Sequence, residues 1–200
     1  MTRLEYRKLL QQTLNDIDLD SVGLMTKIFL QAHENGSRIY TMGNGGSAAN
    51  ASHAAGDFLK GASFGLEKRF NIICLNDNIP SLMAIANDVG WDDIFIEPLR
   101  NFLKKDDIVI GISGSGNSKN ILKAIDFSKK IGAKTIGMTG FDGGKLKKVC
   151  DLSIHSPAMD MEIAEDIHMA VFNMVKKEVM SVLMPKNASM GETYDNRIMK

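Results

Sequence analysis

Five short apolar runs alternate with stretches of helical periodicity, and this alternation limits the chain to very few folds. "RIYTMG", "FNIICLND", "DIVIGIS", "AKTIGMTG" and "DLSIHSP" read as buried strands. The segments between them carry helical spacing, as in "NSKNILKAIDFSKKIG" with Ile121, Leu122, Ile125 and Ile131. Strands joined by helices of about ten or more residues pair in parallel, because a crossover needs that length of chain. The expected fold is an α/β three-layer sandwich with helices on both faces of the sheet.

Punctuation along the chain supports this. Residues 4–34 place Leu9, Leu10, Leu14, Ile17, Val22, Met25, Ile28 and Phe29 at helical intervals, with "DLDS" as a break and "ENGS" as the exit. "SAANASHAAGDFLKG" reads as a helix stopped at Gly61, and "IPSLMAIAND" as another. "WDDIFIEPLRNFL" reads as a helix interrupted by Pro98. "MEIAEDIHMAVFNMVKKEVMSVLM" closes as a long helix, and "PKNASMGETYDNRIMK" has no apolar period and reads as a loose tail. The expected organisation is one domain of 200 residues: an N-terminal helical segment (1–35), an α/β core (36–184) and the tail (185–200).

Composition excludes several function classes. The 24 basic and 24 acidic residues cancel, so the chain lacks the overall positive charge expected of a nucleic-acid binder. No apolar run approaches the roughly 18 residues of a membrane span, and "MTRLEYRKLL" lacks a signal-peptide core. Cys74 and Cys150 lie far apart in apolar stretches and read as buried thiols of a reducing compartment. A cytoplasmic protein without a membrane partner is the expectation.

Two strand exits are rich in glycine and hydroxyls: "GNGGS" (43–47) and "SGSGNS" (113–118). Glycine lets main-chain N–H groups approach an anion, and the next helix brings its positive dipole end. Gly45, Gly46, Ser47, Ser113, Gly114, Ser115 and Ser118 are therefore candidate phosphate-binding residues. Neither loop has the Gly-Lys-Ser/Thr of a nucleotide P-loop or dinucleotide spacing, so no nucleotide cofactor is expected.

"GNGGSAANASHAAGDF", "ISGSGNSKNILKAI", "TGFDGGKL" and "EDIHMAVFN", in that order across residues 4–184, resemble the SIS (sugar isomerase) domain family. The similarity is to its phosphoheptose isomerase group, which includes the DnaA-initiator-associating protein. The resemblance implies a five-stranded, flavodoxin-like parallel sheet, N-terminal helices used for oligomerisation, and a homotetramer with sites at subunit interfaces. It implies a ketose phosphate substrate, sedoheptulose 7-phosphate, converted to the aldose phosphate. It places Ser47, Ser113, Gly114, Ser115 and Ser118 on the phosphate, and Asn44 and Asp88 on the sugar.

The catalytic half departs from the group's pattern. The motif His is retained as His53, and the Glu four residues later is Asp57. The Gln of the last helix is Glu165, the late His is Asn173, and the usual Arg is missing near Gly61, with Lys60 adjacent. By resemblance, His53, Asp57 and Glu165 would surround a zinc ion. Enediol chemistry needs a base for a carbon-bound proton and an acid for oxygen. The candidates are Asp57, Glu165 and His168, the last two being three apart on one helix. His168 also lies among Ile163, Ile167, Val171 and Met174, a setting that suits burial as well as catalysis. An isomerase and a non-catalytic phosphosugar-binding scaffold both fit; the retained Asp57, His53, Glu165 and His168 favour the enzyme.

Overall fold

Strand β1 (Ile39–Gly43) is buried along its whole length, and its alternating side chains explain the layers on either side. Ile39 enters one core, while Tyr40 and Met42 enter the other. The computed structural model describes residues 1–184. The expected tail (185–200) lies outside the described residues.

Five parallel strands form the sheet: β1, β2 (Ile72–Cys74), β3 (Ile108–Ser113), β4 (Lys134–Thr139) and β5 (Leu152–His155), in the order β2-β1-β3-β4-β5. Gly43 pairs with Ile112, and Ser113 with Thr139. One face carries α1 (Arg3–Asn15), α2 (Leu19–Asn35), α3 (Gly46–Gly56) and α8 (Met161–Leu183), with β-strand residues such as Ile110 and Met138 beneath them. The other carries α4 (Ile79–Asp88), α5 (Ile96–Phe102), α6 (Lys119–Ile131) and α7 (Leu146–Val149) over Tyr40 and Val109.

Local sequence sets the ends of these helices. Thr2 and Glu5 form a capping box at α1, Asp18 caps α2, and Asp160 accepts from the Ile163 N–H at 3.0 Å to start α8. Along α8, Ile163, Ile167, Val171, Val175 and Val179 repeat every four residues and are all fully buried. Each contributes about 1.5–3 kcal/mol of hydrophobic stabilisation. Burial also pushes the free thiols up, Cys74 to about 11 and Cys150 to about 12.

Two expectations are corrected. Pro98 does not interrupt a helix; it sits in the first turn of α5, where the missing N–H has no intrahelical partner to lose. The helix through "GDFLKG" does not run straight to Gly61 either. After Gly56 it widens into a single π turn, Asp57–Gly61, which buries Phe58 against Phe29 and Phe70 at ring separations of 4.7 and 5.2 Å. Among the described residues, no helix is long and apolar enough to cross a membrane.

Candidate active site

Strand order reverses between β1 and β3, and the helices that follow them leave for opposite faces: α3 joins α8, whereas α6 joins the other layer. Such a divergence opens a crevice at the carboxyl ends of the two strands. Here it is a cleft of about 400 Å³ lined by Asn44, Gly45, Gly46 and Ser47 from one loop, and Ile112, Ser113, Gly114, Ser115 and Ser118 from the other. Met161 and Glu165 of α8 close its side. The glycine–serine loops, far apart in sequence, thus face one another.

The 113–118 loop is held by its main chain. Gly116 adopts φ +63°, and a Cβ there would lie 2.6 Å from the Gly143 carbonyl carbon, so only glycine fits. The Gly140 N–H donates to the Gly114 carbonyl at 2.8 Å, and the Ser113 and Ser118 hydroxyls lie 3.0 Å apart. Asn44 and Asn120 exchange side-chain hydrogen bonds of 3.0 and 2.9 Å, which clamp the two loops together. Asn76, at the exit of β2, bonds both the N–H and the carbonyl of Gly43. Asn76, Asn120 and Met161 were not read from the sequence. Asn76 was legible in principle, since β2 is a third strand exit beside the same crevice.

Glu165 presses its carboxylate against the first turn of α3. Its Oε1 accepts from Ser47 Oγ at 3.3 Å, and its main-chain oxygen accepts from Asn50 Nδ2 at 2.8 Å. The positive end of the α3 dipole favours an anion in that position.

The remaining nominated residues are dispersed. Asp57 lies ten residues beyond Ser47, about 15 Å down the α3 axis at 1.5 Å per residue. Its Oδ2 meets Lys176 Nζ at 2.8 Å and His53 Nε2 at 3.7 Å, in the seam between α3 and α8. Asn173 is exposed one turn before Lys176. Asp88 ends α4, accepts from Asn87 Nδ2 at 2.6 Å, and does not line the cleft. His168 does not share the cleft with Glu165: it is fully buried, and neither ring nitrogen has a hydrogen-bond partner. Burial pushes its pKa down to about 4, with the nearby Thr139 main chain opposing that shift without bonding the ring.

The zinc set implied by the resemblance does not fit these positions. Among the described residues, no three His, Cys, Asp or Glu side chains gather closely enough to hold a metal ion. Glu165 is engaged by Ser47 at one end of the seam, and Asp57 by Lys176 at the other.

Comparison with known proteins identifies the family. The SIS domain family model matches residues 5–140. A phosphoheptose isomerase of Aliarcobacter butzleri is 38% identical over 144 residues, covering 72% of this chain and 75% of its own. A Helicobacter pylori phosphoheptose isomerase is 33% identical over 173 residues, 86% of this chain and 88% of its own. The solved phosphoheptose isomerase of Neisseria gonorrhoeae superimposes with a TM-score of 0.81 at 26% identity, covering 89% of this chain and 94% of that one. With its sheet order, paired serine loops and these alignments in agreement, the chain belongs to the phosphoheptose isomerase family of SIS-domain proteins.

Proposed function

We propose that this protein is a phosphosugar isomerase that interconverts sedoheptulose 7-phosphate, or a close ketose phosphate, with the corresponding aldose phosphate. One observation carries the reading: a carboxylate, Glu165, faces the same cleft as two loops suited to a phosphate. The phosphate would take hydroxyls from Ser113, Ser115 and Ser118 and amides from the 113–118 loop, with the α6 N-terminus behind it. Its reacting end would extend along the α3–α8 seam, where Asn50 and His53 follow Ser47 on α3 and Asp57 opens the π turn beyond it.

The chemistry needs two proton movements. A base removes a proton from C1 of the ketose as the C2 carbonyl oxygen is protonated, giving the enediol. The O1 proton then leaves as C2 is protonated, giving the aldose. Glu165 and Asp57 are assigned the acid–base roles, with His53 Nε2 3.7 Å from the Asp57 carboxylate. His168 takes no part in this assignment, because it is buried and resists protonation at neutral pH. We further propose a homotetramer: α4 buries no residue, and Ile79, Met83, Val89 and Trp91 are each at least 60% exposed, as suits a face covered by another copy.

Incubation with sedoheptulose 7-phosphate, with aldose phosphate followed over time, tests this. Wild type turns over, while Glu165→Gln and Asp57→Asn lose most turnover and still bind the sugar phosphate. Tight binding across a panel of ketose phosphates with no turnover of any would overturn the proposal.

A further inference from the structure

The Asp57 carboxylate already has a cation. Lys176 reaches across from α8 to place Nζ 2.8 Å from Oδ2, with only 18% of the lysine side chain exposed. Its stem crosses Gly61, where a Cβ would lie 2.9 Å from Cε and 3.1 Å from Nζ. The backbone of Gly61 does not need glycine, since its φ lies outside the left-handed region. The residue is small because the lysine passes over it. The wide π turn Asp57–Gly61 sets both residues on that path.

We propose that Lys176 is the resident cation of this site, occupying the place beside Asp57 where a divalent metal would have to bind, so that the reaction proceeds without bound zinc. A metal at Asp57 Oδ2 and an ammonium 2.8 Å from the same oxygen exclude one another by like-charge repulsion. The donors left to a metal are also few: His53 approaches the same oxygen at 3.7 Å, and no third His, Cys, Asp or Glu among the described residues completes the set. A compact ammonium with three donors fixes the orientation of the carboxylate, and a base drawing a carbon-bound proton requires a fixed position. Lys176 acts through Asp57 and is a positioning residue. The inference rests on the reading of Asp57 as a working carboxylate.

The test compares assembled, chelator-treated wild type with Lys176→Met, Lys176→Arg and Gly61→Ala, by zinc titration calorimetry and by turnover of sedoheptulose 7-phosphate. Donors contributed by a second copy are thereby included. Wild type is expected to take up no stoichiometric zinc and to keep its turnover after chelation. Lys176→Met is expected to bind zinc at least about tenfold more tightly than wild type, because the competing charge is gone. Its kcat should fall about a hundredfold with KM little changed, and Lys176→Arg should recover part of that loss. Gly61→Ala, which crowds the stem but keeps the charge, moves zinc affinity and kcat the same way by less, and serves if Lys176→Met does not fold. One tightly bound zinc per wild-type chain with chelator-sensitive turnover overturns the proposal, as does full turnover by Lys176→Met. Should wild type turn over no ketose phosphate, the isomerase reading fails, and the zinc titrations alone still decide the place of Lys176.

Discussion

Gly46→Ala separates the position of Glu165 from its presence. Gly46 opens α3, and a Cβ there would fall 2.5 Å from Glu165 Cδ and 2.6 Å from Oε1, closer than real Cβ atoms approach. The group that must yield is the far end of a flexible side chain, so the strain is relieved by rotating the carboxylate off the helix end. Rotation forfeits the 3.3 Å bond from Ser47, about 0.5–1.5 kcal/mol, and the helix-dipole attraction, about 0.3–1 kcal/mol. Alanine also restricts the unfolded chain, which returns about 0.4–1 kcal/mol. The balance is a loss of about 1 kcal/mol, or a Tm shift of about 2–4 °C for a chain of this length. Turnover should respond far more strongly, since a positioned acid–base group contributes about 10²–10⁴ in rate. Calorimetry and initial rates on the same preparation measure both. A kcat within about threefold of wild type alongside the expected fall in Tm, with the carboxylate displaced, would refute the assignment of Glu165 to proton transfer.

Further outcomes follow from the same geometry. Ser113→Ala and Ser118→Ala, each removing one of two hydroxyls 3.0 Å apart in the loop, should weaken sugar phosphate binding by about tenfold, roughly one charge-assisted hydrogen bond, as read by calorimetry. Phe58→Ala, which empties a fully buried site packed against Phe29 and Phe70, should cost about 3–5 kcal/mol in urea denaturation. Burial holds His168 at about 4 against an ordinary 6.5, so the unfolded chain gains a proton below 6.5 that the fold refuses until about 4. Stability should therefore fall as pH drops through that window, by up to about 1.4 kcal/mol per unit. His168→Leu should flatten that slope in denaturation curves taken across the window.

The strands were legible because a parallel sheet covered on both faces demands uninterrupted apolar runs, and "DIVIGIS" is one. The two glycine–serine loops were legible because each stands at a strand exit just ahead of a helix, where ligands of open parallel sheets bind. Strand order was not, since the β1–β3 pairing is made between segments about seventy residues apart and leaves no local trace. The catalytic half misled for angular reasons. Glu165 and His168, three apart, differ by about 60° around the helix, enough to put one in the cleft and the other in the core. The π turn escaped because "DFLKG" has ordinary helical composition; Phe58 and the path of Lys176 are tertiary facts. Lys176 escaped with it, as one lysine among many on an amphipathic helix.

Because β1 and β3 are hydrogen-bonded neighbours, the glycine–serine end of the groove is built from main-chain amides and small hydroxyls that the sheet itself holds in register. The other end is only side chains, projected from two helices lying next to each other. Altering the first means rebuilding the sheet; altering the second takes single substitutions. On the proposed function, an architecture of this kind would keep its hold on phosphorylated sugars while its proton-transfer groups were exchanged one at a time. Asp57, Lys176 and Gly61 meet at that second end: an acid, a tethered cation, and a residue small enough for the lysine to pass over it.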